Sequence, residues 1–576
     1  MPALEKNTYP KKLDAAYFSM EIMLETDIPT YAGGLGVLAG DLLRSCADMR
    51  VPVVGVSLVY SGNTFSQIIN SDGSQSFKET EWQKMDQLTK LPNRISLNIM
   101  NTEVSVSCWR YDIVGLTGFV VPVFLLDTDL PQNEQWVKDI TKSLYEGKAE
   151  SRVTQEILLG IGGVQMLRNL KYTDVNVYHM NEGHAAFVPL ELLKESNYDL
   201  NYVKSKCVFT THTPVPEGHD VFDYDLVNKY GGNFLTWNIK DLATEERFSL
   251  TRLALNTSRY SFGVSQKHRK VSNHLFPGYD IQSITNGVHH RTWVSPEIQN
   301  VFDKHIPSWT EDPSLLKNAV KDIPSDNLWS AHQDSKKALI NYVNTHLTSV
   351  SSIDEKINPK SEDLFDLDTL TISLARRPVE YKRPLLLYRD LERFIRIGVG
   401  KIQIIQCGKS HPDDDVSQSF VKEIVTISKK LRTILKIVYL ENYSPKIARL
   451  LVSGSDVWLN TPRRPLEASG TSGMKAALNG VLNFSVLDGW WIEGYNMNPK
   501  SGFSIGPMDD RLTPDNNDDN DSGDLYNKLQ NEIIPMYYDR RTEWIDRMKE
   551  AITLGAYFNT HRCIEEYKKY AWNTKL

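Results

Sequence analysis

Short apolar runs recur along the chain, each closed by glycine or by a group of polar residues, and each followed by a longer stretch with helical spacing. That alternation predicts an α/β protein built on parallel strands, because a strand covered on both faces reads as an unbroken apolar run. AAYFSMEI from Ala15, VPVVGVSLVY over residues 51–60 and FVVPVFLLDTDL from Phe119 are runs of this kind. Residues 61–115 alternate instead, as in NTEVSVSCWRYDIV, and predict an antiparallel hairpin excursion from the first sheet. Over residues 142–170 the spacing is helical, with Leu158, Ile161 and Val164 on an apolar side and Arg152 and Glu156 on a polar one.

The second half repeats the pattern with clearer punctuation. TISLA ends in Arg376 and Arg377, residues 402–407 end in Gly408 and Lys409, and residues 437–440 end in Glu441, Asn442 and Tyr443. Residues 456–460 lead to Glu467, and residues 481–486 to Asp488 and Gly489. In the first half, VNVYHMNEGHAAF and KCVFTTHTPVPEGHDVF place Asn181, Glu182, His184 and His212 just past apolar runs. Ligands of open α/β sheets bind beyond the carboxyl ends of the strands, where all these polar groups fall.

At 576 residues the chain exceeds the roughly 250–300 that one core supports. Two large domains are expected, over residues 1–295 and 296–555, with an aromatic-rich helical tail at 556–576 packing back on the first. The polar residues 349–368 read as a surface loop before the second sheet, and DNNDDNDSGD at 515–524 as a solvated acidic loop without EF-hand spacing. A net charge of -7 with mixed signs gives no basic face for nucleic acid. No apolar run is long enough for a membrane span, and MPALEKNTYPKK lacks a secretory core, so a cytoplasmic protein is expected. Five scattered cysteines without a CxxC pair suit free thiols in a reducing compartment. His179 with His184, and His212 with His219, are pairs without HExxH spacing or a completing carboxylate, so no metal is expected.

Three stretches carry candidate chemistry. In EASGTSGMKAALN a glycine-studded loop, including Ser469, Gly470 and Thr471, runs into a helix, so free backbone N–H groups converge on an anion with Lys475 beside them. Lys475 reads either as a first-turn lysine or as a lysine condensed with pyridoxal phosphate, and spacing alone does not separate the two. ARRPVEYKR puts Arg376, Arg377, Lys382 and Arg383 within eight residues, either a solvated turn or a set converging on a dianion such as inorganic phosphate. Gly33, Gly34 and Gly36 precede a helical stretch, as a tight turn or as phosphate donors.

EASGTSGMK followed by ALNG and LDG closely resembles the pyridoxal phosphate segment of the α-glucan (glycogen, starch, maltodextrin) phosphorylases, and the likeness extends over nearly the whole chain. It implies two Rossmann-like domains facing across a cleft, the GT-B glycosyltransferase architecture, with pyridoxal 5'-phosphate as cofactor. It also implies phosphorolysis of terminal α-1,4 bonds by inorganic phosphate, giving α-D-glucose 1-phosphate with retention. On the family's pattern Lys475 is the cofactor lysine, Tyr443 and Arg376 with Gly470 and Thr471 contact the cofactor, and Arg377 and Lys382 bind phosphate. Glu467, Ser469, Asn286 and His212 meet the glucosyl unit, His212 through its backbone carbonyl, and Gly33, Gly34 and Gly36 meet the substrate phosphate. Arg376 stands where the best-known members have lysine and Val379 where they have histidine; TPVPEGHD and LDGWWIEGYN resemble a compact prokaryotic-type branch. The start close to the first strand implies no regulatory extension, and the resemblance implies a homodimer. The alternatives are a nucleotide-sugar-dependent glycogen or starch synthase-like glycosyltransferase, which shares the early glycine turn but lacks EASGTSGMK, and a non-catalytic glucan-binding protein.

Overall fold

The computed structural model describes residue 10 and residues 12–62, 64–80, 82–145, 147–353, 363–514 and 516–573. The chain forms two compact units. The first comprises Met1–Thr64, Glu79–His289 and Thr560–Leu576, and the second Phe65–Lys78 and His290–Asn559.

The first unit is built on a nine-stranded sheet. Its parallel strands run in space as Val120–Asp127, Val53–Leu58, Lys12–Phe18, Asp174–Asn181, Cys207–Thr210, Tyr260–Gly263 and Gln282–Ser283. Thr102–Val114 and Thr89–Ile99 add antiparallel strands at the Val120–Asp127 edge. The chain starts in the middle, builds outward on one side, and returns to build the other. That reversal lies between Lys12–Phe18 and Asp174–Asn181, and such a switch point leaves a crevice at the carboxyl ends of the two strands. Val53–Leu58 is buried at every position, as expected of a strand covered on both faces.

Two apolar clusters sandwich this sheet, and the C-terminal segment belongs to one of them. Cys563, Ile564, Tyr567 and Trp572 pack with Tyr17, Leu42 and Phe262. Trp572 Nε1 donates to His179 Nδ1 at 3.2 Å, and Asn176 Nδ2 donates to the Trp572 carbonyl at 2.9 Å.

The second unit carries a six-stranded, wholly parallel sheet. Its spatial order is Lys436–Leu440, Ile402–Cys407, Leu370–Ala375, Val457–Asn460, Leu482–Val486 and Gly502–Ile505. In chain order that is 3-2-1-4-5-6, the doubly wound arrangement, with the switch point between Leu370–Ala375 and Val457–Asn460. Arg376 and Arg377 follow one of these strands, and the segment leading to Glu467 follows the other.

Three expectations are corrected. Only part of residues 61–115 builds the first sheet. The hairpin of Thr64–Ile69 and Gln75–Thr80 lies mostly in the second unit, where the Gln67 N–H donates to Asn442 Oδ1 at 2.6 Å and the Ile69 N–H to Glu441 Oε2 at 2.8 Å. Glu156, placed on the polar side of its helix, is fully buried, because Arg152 lies 3.8 Å away and Asp220, 64 residues later, closes over Arg152. Burial first, and then Asp220, raise the Glu156 carboxyl well above the usual range despite Arg152. The acidic stretch is not a solvated loop: Asp518–Lys528 is a helix and Asp521 is inaccessible. Asp521 takes Arg383 at 2.7 Å and Arg464 at 2.8 Å, which brace the chain just before Glu467.

All five cysteines are free and buried. No helix is long and apolar enough to cross a membrane, among the described residues. Buried histidines set a pH dependence. Burial lowers His179 and His184 to about 3 and His268 to about 4. Below the unfolded value near 6.5 the unfolded chain binds protons that the folded one does not. Stability is therefore expected to fall from about pH 6.5 downward, by up to about 1.4 kcal/mol per pH unit for each histidine. Thermal unfolding between pH 7.5 and 5 checks this, and a flat midpoint over that range would exclude the neutral buried state.

Candidate active site

At the switch point of the second unit, the segment from Glu467 to Gly470 is held as a rigid turn. Asp488, at the end of Leu482–Val486, accepts the Glu467 N–H through Oδ2 at 2.8 Å and the Gly489 N–H through Oδ1 at 2.9 Å. The Trp490 N–H donates to the Ser469 carbonyl at 2.9 Å. Gly489 has φ +53°, and a Cβ there would sit 2.5 Å from the Ser469 oxygen and 2.8 Å from the Glu467 oxygen. Backbone approach this close is open only to glycine.

The turn delivers the chain into the helix Thr471–Leu478. Gly470 precedes it at φ +86°, and no side chain caps the helix. The Gly473 N–H reaches the Gly470 carbonyl at 3.3 Å, and the positive dipole end of the helix faces no capping side chain. Gly473 meets Asn483 so closely that a Cβ would lie 2.4 Å from Oδ1, and Asn483 Nδ2 donates to the Gly473 carbonyl at 2.9 Å. Lys475 is 7% exposed, with Nζ 3.6 Å from the ring centre of Trp293. Asn479 holds the Trp293 backbone in place: its Nδ2 donates to the Trp293 carbonyl at 2.8 Å and its Oδ1 accepts the Ser295 N–H at 2.8 Å. Nothing in the sequence marks Trp293 as a site residue. It lies 182 residues before Lys475, and only the fold joins them.

Cations collect beside the turn. Lys382 Nζ lies 2.5 Å from Glu467 Oε2, and Arg376 Nη1 lies 3.7 Å from the same oxygen. Burial pushes the Glu467 carboxyl up, but Lys382 and then Arg376 outweigh it and hold the group below the ordinary range. Burial lowers Arg376 in spite of Glu467. Arg376 Nε and Nη1 and Ser469 Oγ are buried without a hydrogen-bond partner among the described residues. Tyr443 stands near enough to Arg376 to act on its charge. Arg377 is apart from this group, paired with Asp414 at 3.3 Å and 61% exposed.

The first unit brings a second set together beside its own switch point. Asn181, Glu182 and His212 lie at the ends of adjacent strands. His212 Nε2 is 2.7 Å from Asn181 Oδ1, the His212 N–H donates to Glu182 Oε2 at 2.6 Å, and Thr213 Oγ1 donates to the same oxygen at 3.0 Å. Burial first, then the neighbouring histidines, keep His212 well below its ordinary pKa. His179 bonds Thr210 and Trp572, and His219 Nδ1 bonds Thr251. Gly33 and Gly34 open the helix Gly34–Asp48 beside empty space, since a Cβ on either would meet no described protein atom within 4 Å, whereas Gly36 is packed on Tyr31 and Glu21. Glu21 Oε2 accepts the Ala32 N–H at 2.8 Å and the Gly33 N–H at 3.0 Å, so a carboxylate holds part of the turn expected to face phosphate. Asn286 is buried beyond Gln282–Ser283, its N–H donating to the Val264 carbonyl at 3.0 Å.

Two units built on large parallel α/β sheets, the second with an uncapped helix mouth and a buried lysine, match the GT-B glycosyltransferase architecture. Comparison with known proteins narrows the class. The carbohydrate phosphorylase family description matches residues 233–510, which include Lys475, and the starch synthase catalytic domain description matches residues 25–284, which do not. The chain is 39% identical to maltodextrin phosphorylase of Thermococcus litoralis, over 97% of this chain and 70% of that protein. It is 34% identical to glycogen phosphorylase of Mycobacterium tuberculosis over 96% and 70%, and 33% identical to that of Aquifex aeolicus over 98% and 86%. The chain belongs to the carbohydrate phosphorylase family.

The turn itself is testable. Gly489→Ala is expected to cost about 1–3 kcal/mol from backbone strain alone, with the carbonyl clashes added to it. Urea unfolding measures this, and a variant as stable as the parent would mean the turn does not hold Glu467 to Gly470.

Proposed function

We propose that this enzyme cleaves terminal α-1,4-glucosidic bonds of glycogen, starch or maltodextrin with inorganic phosphate, releasing α-D-glucose 1-phosphate with retention, and uses pyridoxal 5'-phosphate. The observation that carries the reading is the buried, anion-ready pocket of the second unit. Arg376 Nε and Nη1 and Ser469 Oγ have no hydrogen-bond partner among the described residues, and the helix Thr471–Leu478 is uncapped beside Lys475. A cofactor with an aldehyde and a phosphate fits that donor set.

Lys475 would hold the cofactor, with Arg376, Tyr443, Gly470 and Thr471 contacting it. When bound, the cofactor supplies a phosphate whose second ionisation near pH 6 lets it act as acid and base near neutrality. Lys382 and Arg377 are assigned to inorganic phosphate, Lys382 as a point charge and Arg377 as a planar fork. Glu467, held ionised by Lys382 and Arg376, accepts hydrogen bonds from a glucosyl hydroxyl across the neutral range. Ser469, Asn286 and His212 are assigned to the glucosyl unit, and Gly33, Gly34 and Gly36 to substrate phosphate. Inorganic phosphate protonates the glycosidic oxygen as the bond breaks and then captures the glucosyl centre on the same face. Retention therefore needs no pair of acid and nucleophile carboxylates.

Incubation with maltodextrin is expected to release glucose 1-phosphate only when inorganic phosphate is present. Lys475→Ala is expected to lose both this activity and the pyridoxal absorbance of the purified protein. Full activity without bound pyridoxal phosphate would overturn the reading. Because Arg377 is exposed and its side chain meets Asp414 in this structure, Arg377→Ala is expected to fold normally and raise KM for phosphate at least tenfold. An unchanged phosphate dependence would remove that assignment.

A further inference from the structure

Asp48, His289 and His561 meet in the first unit from three distant parts of the chain, and their ligating atoms all lie within 4.8 Å of one another. His289 Nε2 is 3.0 Å from Asp48 Oδ2, and His561 Nε2 is 3.9 Å from the same oxygen. We propose that these three side chains form a structural site for a divalent metal ion of the zinc class.

The geometry is near what such an ion requires. Bonds of about 2.0–2.1 Å to nitrogen and oxygen place tetrahedral ligand atoms roughly 3.3 Å apart. The observed separations reach that by small side-chain rotations. Two imidazoles and one carboxylate are a borderline donor set, suited to zinc rather than to the hard, oxygen-seeking magnesium or calcium. The side chains are 3–7% exposed, so the three donors are nearly closed off from bulk water.

The surroundings orient the donors independently of any ion. Asp48 closes the helix Gly34–Asp48, and its Oδ1 accepts the Leu116 N–H at 2.8 Å, which aims Oδ2 at the histidines. The His289 N–H donates to Asp41 Oδ2 at 3.1 Å, so a second carboxylate adds negative charge nearby. Arg44, the neighbouring cation, is turned to the carbonyls of Met23, at 3.2 Å, and Leu24. His561 is placed by Thr560, whose N–H donates to the Val288 carbonyl at 3.1 Å and whose hydroxyl meets Ser45 Oγ at 2.6 Å. Partners of this kind around a ligand set raise its affinity for metal.

The position gives the ion a purpose. His289 is the last residue before the chain's second and longer departure from the first unit, and Thr560 is the first on its return. An ion bound here would tie exit and re-entry to the end of one helix.

The full chain, stripped by a chelator, is titrated with zinc chloride by calorimetry and thermal unfolding. One equivalent should bind at micromolar affinity or tighter and raise the unfolding midpoint, while magnesium does neither. His561→Gln should weaken zinc binding at least tenfold, and His411→Gln, which alters a histidine 41% exposed in the second unit, should leave it unchanged. Cobalt added to the unaltered protein gives a readout that needs no variant: intense visible bands are expected for a tetrahedral site. No zinc uptake, equal affinity in His561→Gln, or only the weak bands of hydrated cobalt would each overturn the site and leave Asp48 and His289 as a hydrogen-bonded pair.

Discussion

A single carboxylate shapes the turn on which the second unit's pocket depends. Asp488 takes the backbone N–H groups of Glu467 and Gly489, and charge-assisted bonds of this kind are strong where water is excluded. Through them, what would be a free loop between two strands becomes a fixed turn. The direction of the Glu467 side chain, the left-handed conformation of Gly470 and the start of the helix Thr471–Leu478 all follow from it.

The pocket so formed concentrates positive charge. Arg376 and Lys382 share one carboxylate, and the buried Lys475 ammonium stands over the face of an indole close by. Burying charge and polar groups costs stability unless they are paired and hydrogen-bonded. Arg376 Nε and Nη1 and Ser469 Oγ lack hydrogen-bond partners among the described residues, so part of that cost stays uncompensated at this turn. Sites that break such a local rule are where function is expected.

The parallel sheets are legible in the sequence because each strand is an unbroken apolar run closed by glycine or charge, a signal contained within about ten residues. EASGTSGMK is legible for the same reason, as glycine, helix and lysine lie in one short stretch. What escapes depends on partners far along the chain. Glu156 reads only as part of a polar helix side until Arg152 and Asp220 enclose it, and the acidic stretch reads as a loop until Arg383 and Arg464 neutralise Asp521. Trp293 and Glu21 are ordinary residues in sequence, and their roles come from tertiary approach to Lys475 and to the Gly33 turn. Helical spacing reports a face, not what covers it.

The segment from Thr560 onward completes the first unit, supplying Cys563, Tyr567 and Trp572 to a core that begins with Ala15 and Tyr17. During synthesis, domains fold as their residues emerge. Here the unit that is started first is finished last. Until the segment from Thr560 is made, Ile284, Phe262 and His179 lack its cover, and His290–Asn559 of the second unit must be translated in the meantime. The nascent first unit thus carries an open apolar face for as long as the intervening residues take to leave the ribosome.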